Sequence, residues 1–138
     1  MNVGFSSDRS SFFARWFQKR YTEARPNERV LCLDFDGVLH RFETPFADPA
    51  VIPDPPVPLA GAFVRAALLA YDRVVICSCR ARVRRGRRAI RRWLEVWGFP
   101  QGLEVTCRKP FAEAYLDDRG IRFEGSWPWD LVRGDHHA

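Results

Sequence analysis

No stretch of this 138-residue sequence approaches the ~20 consecutive apolar residues of a membrane span, so no transmembrane helix is expected. The first twenty residues are polar and basic around Phe12, Phe13, Trp16 and Phe17. They lack the unbroken apolar stretch of a secretory signal, which points to a cytoplasmic protein. Neither internal repeats nor low-complexity segments are present, which sets aside solenoid and linker architectures. Cysteine is sparse: Cys32, Cys77, Cys79 and Cys107. Their number alone would allow a zinc site, but the spacing is not that of paired CxxC knuckles. Three lie in apolar runs and Cys79 follows one, so they are expected to be buried, reduced thiols. Lysine is scarcest of the charged residues, with only Lys19 and Lys109 against 20 arginines.

The composition is otherwise that of one compact domain. Apolar residues make up 46% of the chain, and a domain of this size can bury enough surface to fold without a metal or disulfide. The net charge of +5 is unevenly distributed. Arg80, Arg82, Arg84, Arg85, Arg87, Arg88, Arg91 and Arg92 fall within thirteen residues that contain no acid. Setting those eight apart from the 22 basic residues leaves 14 against 17 acids, so one segment carries the positive character. Such a segment suits an anionic partner: a phosphate ester, a nucleotide or nucleic acid. It equally suits a solvated helix face that keeps the protein soluble.

Hydrophobic patterning divides the chain into residues 1–28, an amphipathic helical extension; 29–126, a domain of alternating strands and helices; and 127–138, a tail. Phe12, Phe13, Trp16, Phe17 and Tyr21 recur at helical spacing within residues 5 to about 24, a packing stripe that also makes a homo-oligomer conceivable. Strands are predicted over 29–35, 73–78, 103–107 and 114–116, with a fifth over 121–123. Helices are predicted over 59–71, with Leu59, Phe63, Ala66, Ala67 and Ala70 on one side, and over 81–97, where Val83, Ile90, Trp93, Leu94 and Trp97 keep helical spacing. Between the first strand and the first helix, residues 39–46 suggest a flap or hairpin, followed by a loop stiffened by Pro45, Pro49, Pro53, Pro55, Pro56 and Pro58. Trp127 and Trp129 are expected to cover the sheet as core, with substrate stacking as the other reading. His40, His136 and His137 are expected to lie away from any site.

Strands alternating with helices predict a three-layer α/β fold with a mainly parallel sheet of about five strands and no cap domain. In such sheets ligands bind beyond the carboxyl ends of the strands. Asp34, Asp36, Ser78, Asp117 and Asp118 all fall at or just after strand ends, and Lys109 lies in the loop after another. Residues distant in sequence would therefore converge on one edge. Adjacent acids such as Asp117 and Asp118 repel when packed together, and a cation relieves that cost.

Leu31-Cys32-Leu33-Asp34-Phe35-Asp36-Gly37-Val38, the strand Val75-Ile76-Cys77-Ser78, Lys109, and Tyr115-Leu116-Asp117-Asp118 resemble, in order, the four motifs of the haloacid-dehalogenase-like superfamily, across about residues 29–125. The resemblance implies a Rossmann-like fold and a Mg²⁺-dependent phosphatase. Asp34 would be the nucleophile that forms an aspartyl-phosphate and Asp36 the general acid/base. Mg²⁺ would be held by Asp34, the Asp36 carbonyl, Asp117 and Asp118, and phosphate by Ser78 and Lys109. Ser78-Cys79-Arg80 is also similar to the Ser-x-Arg loop of members that include polynucleotide 3′-phosphatases, which would make Arg80 a phosphate ligand. Short connections at both family insertion points imply a capless site. Three functions follow as expectations. The first is hydrolysis of a small phosphomonoester such as a nucleotide or sugar phosphate. The second is the same chemistry on nucleic-acid ends, with the 82–92 arginine helix holding the backbone. The third is a binding module that has lost turnover.

Overall fold

The computed structural model describes residues 27–133; the expected N-terminal helix, His136 and His137 lie outside the described residues. Four strands, β1 (Val30–Asp34), β2 (Arg73–Cys77), β3 (Glu104–Thr106) and β4 (Ala114–Leu116), form one sheet in the order β3-β2-β1-β4. Every pairing is parallel. Helix α1 (Ala60–Ala70) connects β1 to β2, and α2 (Arg84–Val96) connects β2 to β3, preceded by a 3₁₀ turn at Cys79–Arg82.

The central strands read as unbroken apolar runs because parallel strands are covered on both faces. Val30, Leu31, Cys32 and Leu33 are all buried, as are Val74, Val75 and Ile76. The step from β1 to β2 to β3 proceeds in one direction across the sheet. Right-handed crossovers then put both helices on the same face. Leu31, Leu33, Val74, Ile76 and Val105 of that face share one core with Val64 and Ala67 of α1 and Ile90, Trp93 and Leu94 of α2. The return from β3 to β4 passes β2 and β1 through a loop, residues 107–113, with no helix. The expected second helical layer is therefore not among the described residues.

Four expectations need correction. Residues 121–123 form no strand, and Ile121 and Phe123 are exposed. After β4 the Asp117 Oδ1 accepts the Arg119 and Gly120 N–H groups (2.7 and 3.2 Å), a turn that carries the chain off the sheet edge before it can pair. Helix α1 buries Ala60, Val64 and Ala67, while Leu59 is 82% exposed and Phe63 half-exposed. An alanine-rich helix has several faces of similar hydropathy, and the one with small residues at 60 and 67 lets the backbone approach the sheet. Trp127 and Trp129 are 71% and 60% exposed and are not core; Trp129 opens a short 3₁₀ turn, Trp129–Leu131, and the Trp127 ring meets Phe123 at a tilt, 5.0 Å between centroids. The cysteines divide as well. Cys32 is buried and Cys77 half-buried, but Cys79 and Cys107 are exposed, and all four are free thiols.

Two bidentate ion pairs fasten the amino end of the sheet. Arg29 binds Glu113 (2.9 and 3.1 Å) across β1 and β4, and Arg73 binds Glu104 (2.7 and 2.9 Å) across β2 and β3. At the other end, Gly86 lets α2 start directly against the preceding turn: a Cβ there would overlap the Arg80 carbonyl oxygen. Gly86→Ala should therefore destabilise the protein by about 1–3 kcal/mol through overpacking, although alanine is the better helix former. Gly61→Ala meets only the flexible Arg65 guanidinium at 3.7 Å and should stabilise by up to about 1 kcal/mol. Urea unfolding of the two variants measures the opposite signs.

Candidate active site

Strand parity decides which side chains meet at the open end of the sheet. Asp34 ends β1 opposite Cys77 of β2. One step past the last β1–β4 pair, Leu33↔Leu116, the register sets Asp117 opposite Asp34, with Asp118 following. Carboxylate oxygens of Asp34, Asp117 and Asp118 lie within 4.8 Å of one another. The turn after β1 presses close to this group. Gly37 has φ +83°, which glycine adopts freely, and a Cβ there would overlap the Asp118 carboxylate.

Three acids at this spacing form an all-oxygen donor set, the kind that hard divalent cations such as Mg²⁺ take. The absent Cβ at Gly37 is the space that lets Asp118 join it. These residues fit a Mg²⁺ ion. Burial pushes the Asp34 carboxyl up from its ordinary value of 3.8 to about 6, and the charges of Asp117, Asp118 and Asp36 add to this. A hydrogen bond from the Phe35 N–H to Asp34 Oδ1 (2.8 Å) opposes it.

Asp36 sits two residues on, in the β1–α1 turn, and is held from two sides. Arg80 Nε donates to both its oxygens (3.1 Å to Oδ1, 2.8 Å to Oδ2), and His40 Nδ1 lies 2.8 Å from Oδ1. Arg80 is 1% exposed. Its Nη1 donates to the carbonyls of Asp48, Pro49 and Val51 (3.1, 3.3 and 2.9 Å), and its guanidinium lies 4.7 Å from the Phe46 ring centroid. This guanidinium, expected to grip phosphate, is instead committed to Asp36 and to the proline-rich loop.

That loop does not form the hairpin expected within 39–46. It closes on itself through Val57 N–H to Leu39 O (2.8 Å) and Arg41 N–H to Pro55 O (3.0 Å). The connection from Val38 to Leu59 contains no helix or strand beyond isolated bridges at Asp36, His40 and Pro56.

Ser78 lies one residue past β2 and is buried. Its Oγ accepts the Arg80 N–H at 3.2 Å and so caps the 3₁₀ turn that delivers Arg80. Lys109 places Nζ 4.2 Å from the Tyr115 ring centroid on β4. The same tyrosine hydroxyl donates to Pro110 O (2.5 Å) and accepts from Ala112 N–H (3.1 Å), tying the loop to the strand. Among the described residues no ion pair joins Lys109 to Asp34. The structure therefore brings Asp34, Asp117 and Asp118 together, ties Asp36 to Arg80, uses Ser78 as a cap, and sets Lys109 on Tyr115.

His40 was expected to stand apart and does not. It is wholly buried, stacks on Phe35 at 5.6 Å and touches Asp36. The sequence holds one clue, the i,i+4 spacing from Asp36, but in a turn such spacing carries no helical meaning. Around the site, the arginine-rich helix presents Arg84, Arg88, Arg91 and Arg92 to solvent, while Arg85 binds Asp48 at 2.6 Å. Cys77, beside Asp34 in the register, has its thiol pKa pulled below the ordinary value by the neighbouring Cys32 thiol. No family model, curated protein or solved structure matches this chain.

Two predictions follow from this geometry. Because the folded protein raises the Asp34 pKa, it favours the protonated carboxyl. That contribution is complete below about pH 4 and is lost as pH rises through about 6. Asp34→Asn should therefore raise the stability of metal-free protein at pH 7.5 by about 1 kcal/mol, a value reduced for the half-exposed site, and the gain should vanish near pH 4. Thermal melts in chelator at the two pH values measure it. Arg80→Met leaves Asp36 without its cationic partner and three carbonyls without their Nη1 donor. It should cost about 3–5 kcal/mol and speed amide exchange across residues 41–57.

Proposed function

We propose that this protein is a Mg²⁺-dependent phosphatase that hydrolyses a phosphomonoester through an aspartyl-phosphate on Asp34. The observation that carries the reading is the convergence of Asp34, Asp117 and Asp118 from the ends of β1 and β4, with Asp36 two residues beyond the first of them. The parallel sheet is compatible with the Rossmann-like fold that the four motifs imply, and those motifs are the basis for a haloacid-dehalogenase-like assignment.

The chemistry follows from the roles the residues can fill. A carboxylate oxygen of Asp34 attacks phosphorus, forming the acyl phosphate as the ester P–O bond breaks. Asp36, entering this step as the carboxylic acid, gives its proton to the departing oxygen and is left as the carboxylate that Arg80 and His40 hold. Asp36 then accepts a proton from water as that water attacks phosphorus and releases Asp34. An anionic nucleophile approaching an anionic ester needs its charge offset, and that neutralisation is what Mg²⁺ on Asp34, Asp117 and Asp118 supplies when bound. Half-burial of Asp34 limits competing hydration of the nucleophile. Ser78 and Lys109 lie at the same sheet end and in the adjoining loop, where the family pattern puts phosphate contacts.

The exposed arginines of α2 favour a second reading, in which the ester terminates a nucleic acid whose backbone these residues track. One panel tests both. Wild-type protein with Mg²⁺ should release phosphate from p-nitrophenyl phosphate, nucleotides or sugar phosphates, and Asp34→Asn should lower that release by at least about 10³-fold. Full activity in Asp34→Asn refutes the mechanism. Replacing Arg84, Arg88 and Arg91 together with Gln should reduce turnover of 3′- or 5′-phosphorylated oligonucleotides alone if the second reading holds. Retained affinity for phosphate esters without any release would favour a binding module on the same fold.

A further inference from the structure

His40 has no part in the motifs, yet its two ring nitrogens have well-defined neighbours. Nε2 lies 3.1 Å from the main-chain N–H of Asp54, which can only donate. Nε2 is therefore the acceptor, and in the neutral ring the proton sits on Nδ1. Nδ1, 2.8 Å from Asp36 Oδ1, donates to that carboxylate.

The Asp54 end is itself fixed from three directions. Its carbonyl accepts the Trp93 indole N–H from α2 (3.0 Å), and its carboxylate accepts the Thr44 N–H (2.8 Å) and hydroxyl (2.7 Å). The ring is clamped by Phe35, stacked at 5.6 Å, and by Trp93, edge-on at 5.8 Å. The charged and titratable groups facing His40 are Asp36, Asp54, whose Oδ2 lies 3.6 Å from Nε2, and Arg80 beyond Asp36. A chain of donors thus runs from Trp93 on the helix layer through the Asp54 backbone and the imidazole to one oxygen of Asp36.

We infer that His40 is a positioning residue for Asp36, holding its Oδ1 through a tautomer fixed by the Asp54 N–H. Arg80 alone cannot set the rotation of the carboxylate, because a single Nε reaches both oxygens and permits a swing about it. A second donor on Oδ1, from a ring that cannot move, removes that freedom. The consequence for the proposed reaction is selective. Asp36 matters most when the leaving oxygen needs a proton, so loss of its alignment should penalise poor leaving groups more than good ones. This role rests on the reading of Asp36 as the acid/base of a phosphatase; the contact itself does not.

The experiment has two arms. In ¹⁵N-labelled protein, long-range ¹H–¹⁵N spectra should show His40 protonated at Nδ1 and bare at Nε2; the opposite tautomer, or a ring exchanging between both, overturns the inference. In the second arm, kcat and KM are measured with Mg²⁺ for p-nitrophenyl phosphate and an alkyl phosphate in wild type, His40→Leu and His40→Asn. His40→Leu should lower kcat for the alkyl ester about 10–100-fold and for the p-nitrophenyl ester less than about threefold, with KM unchanged. His40→Asn, whose amide can still donate to Asp36, should regain most of the loss and guards against simple misfolding. An equal fall for both esters, or no rescue by Asn, means that His40 only supports the fold and overturns the positioning role. Absence of turnover from wild type on either ester overturns the phosphatase reading instead, and the tautomer measurement then decides the His40–Asp36 contact alone.

Discussion

The guanidinium of Arg80 is almost wholly removed from water, and its carboxylate partner Asp36 nearly so. Such a pair is favourable only when the remaining donors and acceptors are also met, because desolvating two charges costs as much as their attraction returns. Here Nε bridges both Asp36 oxygens and Nη1 gathers three loop carbonyls. The loop from Val38 to Leu59, which has no regular hydrogen-bond ladder, has its Asp48, Pro49 and Val51 carbonyls gathered by this one side chain. The position of Arg80 depends in turn on Ser78, which caps its turn, and on Gly86, which lets α2 begin against its carbonyl. Neither half of the pair can be removed alone without leaving a buried group unmet.

The two ends of the sheet are built on opposite electrostatic logic. At the amino end, Arg29–Glu113 and Arg73–Glu104 match charge with charge across neighbouring strands. Both pairs are largely solvated and contribute little energy beyond fixing register. At the carboxyl end, parity and register force Asp34, Asp117 and Asp118 together with no basic side chain paired to Asp34 among the described residues. Burial raises the pKa of Asp34 first, and that crowding adds to the rise. The fold tolerates it because the strands that carry Asp34 and Asp117 are held by hydrogen bonds and by apolar packing elsewhere. A cation is the simplest agent that turns the repulsion into attraction.

How much of this could be read from sequence depended on whether a residue's role is local. Asp34, Asp117 and Asp118 were legible because strand ends are marked by apolar runs that stop at acids, and a parallel sheet gathers such ends on one edge. Arg80 was legible as important but not in its orientation: Ser-x-Arg fixes a turn, whereas burial of the guanidinium depends on carbonyls about thirty residues earlier. His40 left no pattern, since a single imidazole in a turn has no periodicity and its partners are a backbone N–H at Asp54 and a carboxylate at Asp36. The inward face of α1 was misjudged for a related reason. Phe63 offers more apolar surface than Val64, but the close approach to the sheet selects the face of Ala60, Val64 and Ala67, of which only Ala67 lies on the expected side. The strand expected over 121–123 does not form because the turn on Asp117 carries Ile121, Arg122 and Phe123 away from the open edge of β4 before they can pair.

The connection between β1 and α1 carries the buried network. Val38 to Leu59 folds back on Leu39 and Arg41, and its prolines limit the states available to the unfolded chain. Through Asp54 it receives the Trp93 indole from the helix layer, and through His40 it delivers that support to Asp36. A carboxylate on a free loop would sample many orientations. One that is held by a core helix, a locked ring and a buried guanidinium samples few. The rigidity around Asp36 therefore originates in the same packed face, Ile90, Trp93 and Leu94 against the sheet, that makes the domain fold. The arginines on the opposite side of α2 are free to serve solvent or an anion without disturbing it.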